Sequence, residues 1–368
     1  MPHGVEKAKS EALTPLFRTS SKIHLTGAVR GLTLVLNTFE TGGATMKIII
    51  PGGSGHLGTL LTPALREKGH DVIVLTRDRN QAGVLWDGRT LGPWATVIDG
   101  ADAVINLAGR SVDCRYNARN RAEIMNSRID STRVIGEAIA AASAPPPIWL
   151  QMSTATIYAH RFQRDNDEMG GILGGDEADV PASWRFSIDV AKTWEATLDA
   201  APTPNTRKLK LRTAMVMSTA DDAAFRAMLR HVRLGFGSFG DGEQYVSWIH
   251  ERDFVRAIQW LLTQERIEGA VNIAAPHPLP MAEFLEAIRE AWGVPFTVPV
   301  PAWMVEIGAF LFRTESELVL KSRRVAPKLL RLYGFPFEFP RWPAAARDLC
   351  ARIRNHEPAF APQTVSQW

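Results

Sequence analysis

Lys47-Ile48-Ile49-Ile50-Pro51-Gly52-Gly53-Ser54-Gly55-His56-Leu57-Gly58 is an apolar run that breaks into Gly-x-x-Gly-x-x-Gly and then into a helical pattern. Glycines suit such a place because the bend is tight, a diphosphate must come close to the backbone, and the helix must press on the strand. Free amide groups and the positive end of the helix then hold the phosphates. Glycine triplets also occur in ordinary turns, so context decides. Here a strand precedes the bend, a helix over Leu57–Lys68 stopped by Gly69 follows it, and a second strand begins at Asp71, the spacing of a βαβ unit.

Outward from that unit, further buried-type strands read at Asp71–Thr76, Ala103–Leu107, Ile148–Ser153 and Lys208–Val216. They alternate with helices at Arg119–Ala142, which the Pro145-Pro146-Pro147 run follows, and at Trp184–Ala200. Alternation of this kind requires crossover connections and a parallel sheet covered on both faces. Right-handed crossovers make it a doubly wound sheet, the Rossmann fold, in an α/β protein. After residue 217 helical patterns dominate, at Ala223–Leu234, Glu251–Leu262, Met281–Trp292 and Trp303–Phe312. The expected organisation is a nucleotide-binding domain over 46–217 with room in its sheet for later strands, a smaller and mainly helical substrate-side region over 218–300, a small C-terminal domain over 301–355, and a tail over 356–368. Residues 1–45 read as a disordered extension. Lys7, Lys9, Arg18, Lys22 and Arg30 outnumber the acids there, as in a targeting peptide, but the apolar region is weak and no cleavage signature stands out.

The totals narrow the function. The 368 residues are 45% hydrophobic and 22% charged, an ordinary globular balance. A net charge of +3 with only short basic pairs such as Arg323-Arg324 gives nucleic acid no electrostatic footprint. Cys114 and Cys350 have neither metal-ligand spacing nor enough company for a disulfide framework, so no metal is expected and a reducing, cytoplasmic setting fits. The apolar stretch Val300–Phe312 is interrupted by Glu306 and is shorter than the roughly 20 residues a membrane span needs.

Choice of nucleotide is read at the end of the second strand, where an acid bonds the ribose of NAD and an arginine pairs with the extra phosphate of NADP. Thr76 holds the acid's place and Arg77 follows, with Arg79 nearby, so NADP(H) is favoured over NAD. The strand ending Asn106-Leu107-Ala108-Gly109 finishes in small residues on which a flat ring can lie. The expected cofactor contacts are therefore Gly52, Gly55, His56, Leu57, Gly58, Thr76, Arg77 and Asn106 to Gly109.

The glycine bend, the Ile105–Gly109 strand, Asn126-Ser-Arg-Ile-Asp-Ser-Thr-Arg133, Trp194-Glu195, Gln244 and Ser247-Trp-Ile-His250 with Asp253 together resemble the atypical extended short-chain dehydrogenases/reductases called epimerase family proteins, relatives of nucleotide-sugar epimerases sometimes labelled cell-division-inhibitor-like. The resemblance runs from Met46 to about Arg352. Ser322–Leu330 and Tyr333–Pro340 resemble the small terminal domain peculiar to that family. It implies a Ser or Thr after the fifth core strand, which makes Thr154 the candidate, with Ser153 beside it. It also implies a catalytic tyrosine four residues before a lysine that lowers the phenol pKa and binds the nicotinamide ribose. Lys192 suits that lysine, but Ile188 stands where the tyrosine belongs. Tyr158, Asp189 and His250 are the groups that could take its place, each also readable as packing or surface. Arg115 with Tyr116, Gln244, Trp248 and His250 are implied at the substrate cleft, although Trp248-Ile249 reads equally as a buried strand.

The expected activity is hydride transfer between NADP(H) and a carbonyl or alcohol carbon of a small, sugar-like substrate, as an epimerase or reductase. The missing tyrosine keeps a second expectation open, a sensor or regulatory protein that binds NADP(H) without turnover. The expected partner is a small molecule, with neither nucleic acid nor membrane. Resemblance allows a monomer or a homodimer through Arg119–Ala142 and Trp184–Ala200.

Overall fold

The protein is described by a computed structural model over residues 44–178, 180–305, 317–357 and 359. The N-terminal extension, most of the helix expected over Trp303–Phe312 and nearly all of the tail lie outside the described residues. The described part of 44–368 forms one unit.

The first half alternates as its apolar pattern demands: β1 (Lys47–Pro51), α1 (His56–Glu67), β2 (Asp71–Thr76), β3 (Val84–Leu85), β4 (Ala103–Asn106), α2 (Ala118–Ala141), β5 (Ile148–Thr154), α3 (Ala182–Ala200) and β6 (Arg207–Thr213). Ile48, Ile49 and Ile50 are fully buried in succession, as in a strand covered on both faces. The expected strand Lys208–Val216 is cut at Ala214, whose N–H turns to the Ile273 carbonyl (3.0 Å). Its last residues become a separate strand, β7 (Met215–Met217), followed by α4 (Ala224–Arg233), β8 (Phe236–Phe239), β9 (Tyr245–Val246), β10 (Trp248–His250), α5 (Glu251–Thr263) and β11 (Gly269–Ile273).

The main sheet has seven strands in the order β11-β6-β5-β4-β1-β2-β3, and each neighbouring pair is parallel. The chain winds from β1 outward to β3, then returns to β4 and winds the other way. That reversal opens a crevice between the carboxyl ends of β1 and β4, where α/β sheets bind their ligands. Helix α5 returns to cover the sheet, with Gln259 Nε2 donating to the Ala64 carbonyl of α1 (3.2 Å).

The remaining chain adds β12 (Leu279–Pro280), α6 (Met281–Trp292), β13 (Val298–Val300) and the helices α7 (Glu317–Leu320), α8 (Lys328–Leu332) and α9 (Trp342–Arg354). Parallel β7–β10 and β8–β13 pairs and an antiparallel β9–β12 pair form short ribbons. α4, α6 and α9 surround a second core of Phe225, Trp248, Phe284 and Trp342, with Phe284 stacked on Trp342 at 3.9 Å. Each such side chain contributes about 2–3 kcal/mol by leaving water, so this smaller, mainly helical region has a core of its own. It stands beside the carboxyl end of the sheet and supplies one wall of the site.

Candidate active site

The bend after β1 is shaped by backbone contacts. Gly52 has φ +77°, and a Cβ there would sit 2.8 Å from Ala108 Cα and N. At Gly58 a Cβ would overlap the Gly53 carbonyl, so this glycine lets α1 close on the bend. The helix has no side-chain cap at Gly55 and no acidic residue in its first turn. Its first amide groups are thus left for a ligand to satisfy.

A cavity of about 160 Å³ lies over this bend, lined by Gly52, Gly55, Leu107, Ala108 and Gly109 and by Thr76, Arg77 and Arg89. Ser54 Oγ and Thr76 Oγ1 are hydrogen bonded at 3.1 Å, and Thr76 Oγ1 also accepts from Asp78 N (3.1 Å). Among the described residues the carboxylate lining this cavity is Asp87, which is spent on its own turn: it accepts from Arg89 N (2.8 Å), Thr90 N (2.9 Å) and Thr90 Oγ1 (2.5 Å). These bonds hold its pKa down to about 2; the cations lining the same cavity are Arg77 and Arg89, the latter 3.6 Å from Asp130. Arg89, Ser127 and Ser131 were not foreseen, because the first lies beyond a loop and the others on a long helix whose face the sequence leaves undetermined.

A second cavity of about 430 Å³ continues past Leu107 and Gly109. Its walls come from His56 and Leu57 at the start of α1, the β4–α2 loop with Tyr116, Arg128 of α2, the end of β5 with Thr154, one face of α3, and Arg323. Thr154 Oγ1 accepts from Thr156 N (3.2 Å), and among the described residues no acceptor takes its own proton. α3 presents Ser187, Val190 and Trp194, spaced three and four apart, to the cavity. Ser187 Oγ donates to Glu317 Oε2 (2.7 Å). Lys321, almost fully buried, donates to the Thr156 carbonyl (3.1 Å) and lies 3.7 Å from Glu317. Burial, with Arg323 nearby, brings the Lys321 pKa down to about 8. His56 Nδ1 and Asp222 Oδ1 meet at 3.1 Å at the mouth.

Several expected site residues are placed elsewhere. Lys192 is not on the cleft face of α3; its ammonium lies beside Gly175, a turn of roughly 100° per residue having carried it away from Ser187 and Trp194. Ile188 is buried in the packing and Asp189 faces solvent. Tyr158 is 2% exposed, and its hydroxyl donates to Asn272 Oδ1 (2.9 Å) while accepting from Arg212 Nη1 (3.0 Å). Burial raises its pKa, and it is not among the residues lining the second cavity. Arg212 in turn grips Glu195 through Nε (2.9 Å) and Nη2 (2.7 Å), and Glu195 accepts from Ser153 Oγ (2.7 Å).

Trp248 is fully buried, its indole donating to the His277 carbonyl (3.3 Å). His250 caps α5 by accepting from Arg252 N (3.1 Å), pairs with Asp348 (3.1 Å) and stacks on Phe339. Gln244 donates to the carbonyls of Phe239 (2.8 Å) and Val319 (3.1 Å). All three hold the smaller region together and do not line the cleft. Arg115 is not on its wall either, whereas its neighbour Tyr116 is. Asn106 is buried and orders the end of β4, accepting from Ala108 N (3.0 Å) and donating to Gln151 Oε1 (2.9 Å).

Strand order, glycine bend and crevice together define an extended short-chain dehydrogenase/reductase fold. Residues 48–274 match the NAD dependent epimerase/dehydratase family, and residues 300–349 match a domain of unknown function, DUF1731. The chain belongs to the NAD dependent epimerase/dehydratase family. It is 30% identical over 311 residues to the epimerase family protein SDR39U1 of Bos taurus, covering 83% of this chain and 100% of that one. It is 28% identical to the epimerase family protein YfhF of Bacillus subtilis, covering 80% and 94%. A crystal structure of human SDR39U1 with NADPH superposes with a TM-score of 0.73 at 28% identity, covering 83% of this chain and 99% of that one. The UDP-N-acetylglucosamine 4-epimerase of Bacillus cereus shares the fold at 16% identity, with a TM-score of 0.62 and coverage of 84% and 100%.

Proposed function

We propose that the chain binds NADP(H) across the two cavities and is an epimerase- or reductase-like oxidoreductase acting on a carbonyl or alcohol of a small substrate. The observation that carries this reading is the bend itself. Backbone pressed against backbone at Gly52 and Gly58, with an uncapped helix start between them, leaves a cradle that suits a diphosphate. Arg77 and Arg89 give the adenosine end a charge that suits a 2′-phosphate, and the human relative was solved with NADPH. The chemistry that cofactor supplies when bound is hydride exchange with a substrate carbon.

The chain's own part is to place the substrate and hydrogen-bond its reacting oxygen. Leu107, Ala108 and Gly109 give the small surface that lets a flat ring lie on the end of β4. Thr154, whose hydroxyl accepts from the backbone, has its O–H free to donate a hydrogen bond that polarises a substrate oxygen. Titration calorimetry tests the nucleotide half. NADPH is expected to bind more tightly than NADH, and Arg77→Ala with Arg89→Ala to remove that preference. Charge-assisted hydrogen bonds contribute roughly 1.5–3 kcal/mol each, which corresponds to about 10–100-fold in affinity per arginine. No measurable NADPH binding would end the proposal.

A second reading, NADP(H) binding without turnover, is favoured by one observation: neither Ile188 nor Lys192 of α3 reaches the cleft. A substrate screen that follows NADPH absorbance separates the two. Turnover abolished by Thr154→Ala supports the enzyme, and cofactor binding with no turnover across the screen supports the sensor.

A further inference from the structure

Arg128 and Arg323 both line the second cavity, and among the described residues Arg128 has no carboxylate partner. Arg128 Nη1 donates to the carbonyls of Arg110 and Ile124, both at 3.0 Å, and the group lies 5.0 Å from the Trp194 ring. Among the described residues its Nε and Nη2 donate to nothing and no acid pairs with it. Burial lowers its pKa to about 10, and the one opposing influence is the nearby phenol of Tyr116. Arg323, its side chain 11% exposed, comes from the C-terminal part of the chain. It donates to Thr156 Oγ1 (3.2 Å) and to the Glu317 carbonyl (3.2 Å), and it too is influenced by Tyr116. Both arginines line the same cavity around one phenol. Among the described residues the acid on the cavity wall is Asp222, whose side chain is 73% exposed and already meets His56.

A cation removed from water without a counter-charge is costly, and a guanidinium fork matches carboxylate and phosphate oxygens through paired hydrogen bonds. Surface arginines escape that cost by staying hydrated, and Arg110, in the same cavity, escapes it by pairing with Glu123. Arg128, half-buried on the cavity wall, meets no such acid among the described residues. We infer that the space between Arg128, Arg323 and Tyr116 receives a small anionic group of the substrate, a carboxylate or a phosphate. The inference deepens the oxidoreductase reading, resting on it for the cleft being a substrate site. It places the anion beyond Gly109, away from the cradle that suits the cofactor's own diphosphate.

The test is titration calorimetry on the full chain with malonate, inorganic phosphate and the neutral malonamide, each with and without saturating NADPH. One anion at least is expected to bind about tenfold or more tightly than malonamide, equivalent to about 1.4 kcal/mol. Whether malonate or phosphate leads names the source of the charge. Arg128→Gln is expected to lower that affinity by about 10–100-fold, the loss of one or two charge-assisted bonds. Arg323→Gln is expected to lower it as well, so the result does not depend on one variant folding. Malonamide binding as tightly as both anions, or anion affinity unchanged in Arg128→Gln and Arg323→Gln, overturns the inference. NADPH failing to bind while anions bind in an Arg128-dependent way would instead overturn only the nucleotide reading.

Discussion

Replacing the three motif glycines one at a time by alanine should separate folding from binding. At Gly52 an alanine must adopt φ +77°, and its Cβ would lie 2.8 Å from the Ala108 backbone. The left-handed conformation costs about 1–2 kcal/mol and crowding against atoms that cannot rotate away about 1–3 kcal/mol more. Gly52→Ala should therefore lose about 2–5 kcal/mol of stability. Gly58 carries no positive φ, but a methyl group there must push α1 off the Gly53 carbonyl, so Gly58→Ala should lose about 1–3 kcal/mol.

Gly55 is different. Its φ is −82°, open to any residue, and the nearest atom to an added Cβ is the Gly52 oxygen at 3.3 Å. A stiffer unfolded chain favours alanine by about 0.4–1 kcal/mol, which offsets that mild crowding. Gly55→Ala should then fold nearly as well as the parent, yet its methyl group intrudes on the cavity floor and should weaken NADPH by about tenfold or more. Urea unfolding followed by tryptophan fluorescence measures the first quantity and titration calorimetry the second. A Gly55→Ala protein that binds NADPH as the parent does, or a Gly52→Ala protein as stable as the parent, would refute the assignment of the bend.

Three further outcomes follow from the groups around the cleft. His160 Nδ1 accepts from Ser322 N at 2.8 Å, which requires a neutral ring. Burial, with Lys321 and Arg323 nearby, lowers its pKa below 6.5 against the opposing pull of Glu177 and Asp241. The unfolded chain takes up the proton first, so this part of the stability is complete above about pH 6.5 and is lost as pH falls through the folded value. Urea midpoints should drop between about pH 7.5 and about pH 5.5, and His160→Asn should flatten that slope; equal slopes would contradict the reasoning. Tyr158→Phe should cost about 1 kcal/mol by removing its bonds to Asn272 and Arg212, leaving NADPH affinity and any turnover intact; abolished turnover would restore Tyr158 as the proton donor. Arg212→Met strands Glu195, whose side chain is 8% exposed, and should cost about 3–5 kcal/mol in urea unfolding; a loss below about 1 kcal/mol would mean that Glu195 finds water or another partner.

Most of the main sheet was legible because strands buried on both faces must be continuously apolar, as at Ile48–Ile50 and Val104–Ile105. β3 was not, since two residues carry no period, and the cut between β6 and β7 was hidden because Ala214 is as apolar as its neighbours. The nucleotide cradle was legible for a local reason: its constraints join residues close in sequence or on adjacent strand ends. α3 shows where a motif misleads. Counting four residues back from Lys192 led to Ile188, but Trp184, Ile188, Ala191, Glu195 and Leu198 are all buried and recur at helical spacing along one stripe. A tyrosine at position 188 would point into that packing, so the isoleucine there does not by itself show a lost catalytic group. The charges that distinguish this cleft depend on contacts no local pattern encodes. Lys321 reaches the Thr156 carbonyl across 165 positions and Arg323 reaches the Thr156 hydroxyl across 167. Composition alone would place both cations in solvent. Arg323 thus brings the C-terminal part of the chain to the wall of the second cavity, and on the proposed reading substrate preference should depend on it as well as on the Rossmann half.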